Sequence, residues 1–193
     1  MFDTAKLEWV SQHWLKAVAP ARLADELIPF LERAGFTPPR DRAWLAQVAD
    51  TLRERAKTLV EMVEVGRFYF QAPKSWDPKA AAGLFTAEGA ERLALLIDRL
   101  AAEPRFEAAR LEVLYRGLAD ELGLKLVDLA QLTRLAVTGG TASPPLFQVL
   151  ALLGKEETLA RLGVALRAAT PPFEPSGADE PPARPPRGEA RVD

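Results

Sequence analysis

The sequence predicts an all-α protein: a two-lobed helical bundle followed by a disordered C-terminal tail. Three observations predict it. Apolar residues recur at three- and four-residue intervals through residues 1–167, which is the period of one helix face. Helix-starting Ser, Thr, Asp and Pro and helix-ending Gly punctuate those stretches. No segment shows the strict alternation of a half-buried strand. Residues 1–70 read as a first lobe, 71–78 as a linker, 79–167 as a second lobe and 168–193 as the tail.

Asp3 is placed to cap a first helix, in which Leu7, Val10, Trp14 and Val18 share one side until Pro20 interrupts. A second helix, Ala21 to Ala34, is closed by Gly35, with Thr37-Pro38-Pro39 as the turn. Asp41 caps a third and longer helix. Its apolar residues Trp44, Leu45, Val48, Ala49, Leu52, Ala56, Leu59, Val60 and Val63 fall on one stripe. QAPKSWDP, residues 71–78, has two prolines and no periodicity, which marks the linker.

Asp77-Pro78 caps and starts the next helix, through Leu84 and Phe85. Thr86 caps a longer one carrying Leu93, Leu96, Ile97 and Leu100 until Pro104. Phe106 to Leu122 is amphipathic on Leu111, Leu114, Tyr115 and Leu118 and is closed by Gly123. Leu124 to Val137 follows, ended by Thr138-Gly139-Gly140-Thr141, because glycine takes the left-handed conformation that a C-cap needs. Ser143 is expected as an N-cap with Pro144 at the first helical position of a helix carrying Leu146, Phe147, Leu150, Leu152 and Leu153. Lys155 to Arg167 opens with Glu156 and Glu157 at the positive helix end and buries Leu159, Leu162 and Leu166.

The tail from Ala168 has seven of the chain's 16 prolines and almost no large apolar residues, too little burial to offset its ordering entropy. A chain of 193 residues is long enough for one sizeable core or two small ones. Without cysteine, disulfides and thiol chemistry are excluded. No apolar run approaches the length of a membrane span and no signal-peptide pattern opens the chain, so a cytoplasmic location without membrane contact is expected. Net charge is −2, and the tail carries it, with five acids against three arginines. The body is neutral on average, which permits a basic face without demonstrating one.

Catalytic signatures are sparse. His13 is the only histidine and has neither a second histidine nor a nucleophile pattern beside it, so no metal site is expected. Gly139-Gly140 follows a helix and lacks the lysine and glycine spacing of a P-loop.

Three segments carry a family resemblance. The first is AVTG (136–139), a short loop, SP-x-LF (143–147), LLGKE (152–156) and RL-x-x-AL (161–166). The second is Leu52-Arg53-Glu54-Arg55-Ala56-Lys57-Thr58-Leu59-Val60-Glu61-Met62, similar to L-x-x-ER-x-KTL-x-EM. The third is Phe2-Asp3 with Lys6-Leu7-Glu8-Trp9. All three, in their order along the chain, resemble the C-terminal, anticodon-binding helical cage of bacterial glutamyl-tRNA synthetases over about residues 2–167. The resemblance implies a partner, the anticodon loop of glutamate tRNA, and possible docking with a separately encoded catalytic half, the chain itself being a monomer. It also implies no catalysis by this chain alone, because the HIGH-like and KMSKS-like sequences are absent; ATP and Mg would belong to the catalytic half, and this chain would need no cofactor.

By motif, Arg55 matches the arginine that faces the last anticodon base, where a planar fork of donors bonds a base edge bidentately. Periodicity alone gives a different reading, an arginine whose stem covers the core from the flank of the helix. Arg53 and Lys57 are then candidate phosphate contacts, or solvated surface charge. Ser143, Pro144 and Leu146 match a corner that meets the middle anticodon bases, or else form a helix start with Leu146 in the core. Arg134 matches an arginine preceding the family's TG turn, as a phosphate contact or a carbonyl cap. Pro145, where a small residue is more usual, and Ser11-Gln12, in place of Asn-Gly, depart from the pattern. The alternative to RNA binding is a helical interaction or regulatory protein that keeps the cage fold.

Overall fold

The computed structural model describes residues 4–39 and 41–170, with side chains from Glu8 onward. The expected Asp3 cap and the tail from Pro171 lie outside the described residues. Eleven helices and no strand occur among those described. None of the helices is long and apolar enough to cross a membrane.

The first core is built by α1 (Thr4–Ala17), α2 (Pro20–Arg33), α3 (Arg42–Leu52), α4 (Leu59–Val65) and α5 (Arg67–Phe70). Pro20 starts α2 instead of interrupting α1, since its missing N–H costs nothing at a first helical position. Asp41 caps α3 as its spacing predicts, its carboxylate accepting from the Trp44 amide at 3.0 Å. Leu15, Leu23, Leu27, Leu31, Leu45, Val48, Leu52 and Met62 are fully buried together.

The expected single helix from Asp41 to Val63 is two helices. The first ends at Leu52, and Val60 is 60% exposed although Ala56 and Val63 are buried. Two local devices break the expected helix. Thr58 accepts a hydrogen bond from the Glu61 amide at 3.1 Å, and the Glu61 carboxylate accepts from the Lys57 amide at 2.8 Å, so a new helix start is assembled at Thr58. Arg53 turns away to donate to the Lys16 and Val18 carbonyls of the α1 terminus at 3.1 and 3.2 Å. Thr-x-x-Glu was the legible signal for this break, and the apolar stripe masked it.

The second core comprises α6 (Pro78–Leu84), α7 (Ala87–Ala102), α8 (Ala108–Leu122), α9 (Leu126–Thr138), α10 (Leu146–Leu153) and α11 (Lys155–Ala169). Asp77 and Thr86 cap α6 and α7 by accepting from the Ala80 and Gly89 amides at 2.7 and 3.2 Å. Leu93, Leu96, Leu100, Leu111, Tyr115, Leu129 and Leu162 are fully buried at its centre. The Tyr115 hydroxyl is satisfied there by Thr133 at 2.9 Å.

α10 is apolar on more than one side and serves both cores: Leu146 and Leu150 belong to the second cluster and Val149 to the first. The Trp44 indole N–H donates across the seam to the Leu152 carbonyl at 2.8 Å. The linker is docked as well. Trp76 packs edge-on against Phe85 and donates to the Ala136 carbonyl at 3.4 Å, while the Asp77 amide donates to the Gly139 carbonyl at 2.8 Å.

Candidate nucleic-acid interface

Arg55 stands in the turn that follows α3, where its amide donates to the Leu52 carbonyl at 2.8 Å. Because the helix has ended, its side chain is exposed beyond the core instead of lying along a helical stripe. No carboxylate pairs with it among the described residues. Arg134, in the last turns of α9, is half-buried and donates through Nε to the Ser143 hydroxyl at 2.9 Å. That hydroxyl spends its own hydrogen on the Pro144 carbonyl, 2.9 Å away, which leaves its lone pairs for the arginine.

Burial, and after it the positive charge of Arg55, holds the Arg134 guanidinium below the usual arginine value. Arg55 belongs to the turn after α3 and Arg134 to the last turns of α9, so the two cations come from different helical clusters. Arg55 acts similarly on Tyr69, whose phenol burial pushes up to about 12 against the opposing effects of Thr51 and Arg55. The Tyr69 and Thr51 hydroxyls are 3.0 Å apart. Cations without a carboxylate partner raise the local positive potential, and an anion or a ring of acceptors relieves it.

The other expected residues are placed differently. Ser143 is not an N-cap: α10 begins at Leu146, with Pro145 in the cap position and its carbonyl accepting from the Gln148 and Val149 amides at 3.1 Å. A proline disfavours helical backbone in the residue before it, so Pro145 keeps Pro144 from being the first helical residue. Pro144 is buried, and Leu146, 4% exposed, lies in the second core. Arg53 adds an ion pair to its carbonyl contacts, Nε lying 3.0 Å from Asp50 without hydrogen-bond alignment, and its side chain is 15% exposed. Lys57 is exposed, with its ammonium 3.6 Å from Glu8. His13 stacks on the exposed Trp9, and no group of acids and histidines able to hold a metal occurs among the described residues.

The fold thus brings Arg134 and Ser143 together, leaves Arg55 exposed in the turn after α3 and points Arg53 toward α1. Sequence reasoning missed Thr51, Tyr69 and Gln148. Thr51 and Gln148 line a cleft of about 320 Å³ between α3 and α10. Thr51 is in the last turn of α3, four residues before Arg55 in sequence, and Tyr69 meets it only through tertiary packing.

The family sequence model described as "Anticodon binding domain" matches residues 22–166. The chain belongs to the anticodon binding domain family. The glutamate–tRNA ligase of Anaeromyxobacter dehalogenans (strain 2CP-C) is 42% identical over 172 residues, which cover 89% of this chain and 36% of that protein. That of Geotalea uraniireducens (strain Rf4) is 40% identical over 166 residues, 86% of this chain and 35% of its own length. This anticodon-binding chain thus spans about a third of the length of the curated relatives it matches. The crystal structure of a glutamate tRNA ligase from Elizabethkingia meningosepticum superposes with a TM-score of 0.80 at 23% identity, covering 88% of this chain and 33% of that one. That likeness shows the fold.

Proposed function

We propose that this chain binds the anticodon stem-loop of glutamate tRNA across the seam of its two lobes, supplying affinity and discrimination to glutamate–tRNA ligation while the chemistry occurs elsewhere. The observation that carries the reading is the pair of arginines without a carboxylate partner among the described residues, Arg55 exposed in the turn after α3 and Arg134 oriented by the Ser143 hydroxyl at 2.9 Å. Arg55 reads the last anticodon base with its free guanidinium fork. Arg134, oriented by Ser143, holds a neighbouring phosphate or base edge. Pro144 and Leu146 support the loop from the core side, and their main chain meets the RNA. Lys57 contributes a solvated phosphate contact, and Arg53 fixes the turn from which Arg55 projects. ATP and Mg serve the activation of glutamate in a part of the enzyme that this stretch does not span.

The test is binding of the purified chain to glutamate tRNA and to a copy with a changed last anticodon base, at two salt concentrations. The native anticodon is expected to bind more tightly, with affinity that falls as salt rises. Arg55→Gln is expected to remove about 1–3 kcal/mol of the preference at that position. Equal affinity for both RNAs before and after the substitution would remove the assignment.

A further inference from the structure

Arg161, the first residue of the RL-x-x-AL segment, is a cation only 4% exposed, and the RNA-binding reading gives it no contact to make. It sits where three elements meet. Its Nη1 carries two hydrogens and gives one to the Phe68 carbonyl in α5 and the other to the Val137 carbonyl in α9, both at 2.7 Å. Its Nε donates to Glu157, one turn back on α11, at 2.7 Å. Both carbonyls belong to the ends of helices, whose last C=O groups lack helical partners and carry the negative end of the dipole. The buried charge is therefore compensated by two helix ends and one carboxylate.

The seam has a cleft on either side at this point. Arg161 borders a hollow of about 100 Å³ beneath Pro73 and Trp76 on one side and a cleft of about 370 Å³ beside Trp44 and Tyr69 on the other. The donors do the joining. Each acceptor leads to one of the two exposed-site arginines. Phe68 adjoins Tyr69, whose hydroxyl bonds Thr51, four residues before Arg55 in sequence. Val137 lies on the same closing turn of α9 as Arg134.

We propose that Arg161 is a positioning residue for the RNA site: by clasping Phe68 of the first lobe and Val137 of the second, it fixes how the two lobes, and with them Arg55 and Arg134, are placed relative to one another. The proposal rests on the anticodon-binding reading. A lysine does not substitute, because a single ammonium at the end of a flexible stem does not reproduce the guanidinium's fixed fork to three acceptors.

The chain has no cysteine, so spin labels can be placed at Ala43→Cys in the first lobe and Val113→Cys in the second, both exposed positions. Pulsed EPR then reports the distribution of lobe–lobe distances. Arg161→Met and Arg161→Lys are expected to broaden or shift it with helix content unchanged; an unaltered distribution overturns the proposal. Should Arg161→Met lose its helices, Glu157→Gln, which removes only the compensating charge, is read in the same assay and is expected to broaden the distribution less.

The second arm is a double-mutant cycle in affinity for an anticodon stem-loop RNA. Arg161→Met alone is expected to weaken binding roughly tenfold, and Arg55→Gln to cost much less in that background than in the wild type, the two residues being coupled without touching. Strictly additive penalties overturn the positioning role. Absence of RNA binding by the wild-type chain overturns the anticodon-binding reading and with it the coupling, while the EPR arm still decides separately whether Arg161 fixes the lobes.

Discussion

Gly139 and Gly140 are adjacent and alike in sequence, yet alanine at each is expected to have effects of opposite sign. Gly139 closes α9 at φ +85°, in the left-handed region. A Cβ there would lie 2.9 Å from the Ser75 carbonyl oxygen and 3.0 Å from the Pro73 Cβ. Left-handed backbone costs a residue with a side chain about 1–2 kcal/mol. Relief of the clash must push the linker back by a few tenths of an ångström, which strains the 2.8 Å bond from the Asp77 amide to the Gly139 carbonyl, a bond worth about 0.5–1.5 kcal/mol net. The sum for Gly139→Ala is a loss of roughly 1.5–3.5 kcal/mol. Gly140 has no positive φ and open space where a Cβ would go. Gly140→Ala is therefore expected to be neutral or to stabilise by about 0.4–1 kcal/mol, through a less flexible unfolded chain. Urea unfolding followed by helical circular dichroism measures both, and tryptophan fluorescence reports the linker through Trp76. A loss below about 1 kcal/mol for Gly139→Ala, or equal losses for the two variants, would refute the claim that the docked linker fixes this loop.

Thr58→Ala removes the cap that starts α4 and is expected to cost about 1 kcal/mol in the same urea assay, with Thr58→Ser close to wild type; an effect within error of zero sinks the capping account. Leu146→Ala, in the second core, is expected to cost about 2–5 kcal/mol, against under about 0.5 kcal/mol for an exposed valine such as Val113→Ala, so a near-neutral result would show that Leu146 is not held in the core. The chain's two tyrosines, Tyr69 and Tyr115, are both raised by burial. The folded state therefore binds more protons than the unfolded one above the ordinary phenol value. Their contribution to stability is full below about pH 10 and is lost as pH climbs through the folded values, with a slope of up to about 1.4 kcal/mol per pH unit for each phenol. Tyrosinate absorbance is expected to rise together with unfolding, and a free titration near pH 10 in the folded chain would refute their burial.

Most helices were legible because their signals are local. Asp41, Asp77 and Thr86 cap where their spacing says, since a cap needs only an amide three residues on. The same locality explains two misreadings. At Arg53–Thr58 an apolar stripe and the Thr58 cap competed over the same residues, and the cap prevailed while the α1 carbonyls offered Arg53 partners outside its own helix. At Ser143 the serine–proline pattern suggested a helix start, but its hydroxyl is committed to Arg134, and a second proline delays the helix to Leu146.

By itself the sequence determined the all-helical class and the caps at Asp41, Asp77 and Thr86, and it named the arginines worth suspecting. Tertiary structure alone decided where those arginines go. Arg53 turns to the α1 carbonyls and Arg134 meets the Ser143 hydroxyl, while α10 fills both cores and Arg161 spans Phe68 and Val137. Periodicity and capping act within one helical turn, whereas a site at a seam is set by the packing of distant elements, a relation that no local pattern of residues encodes.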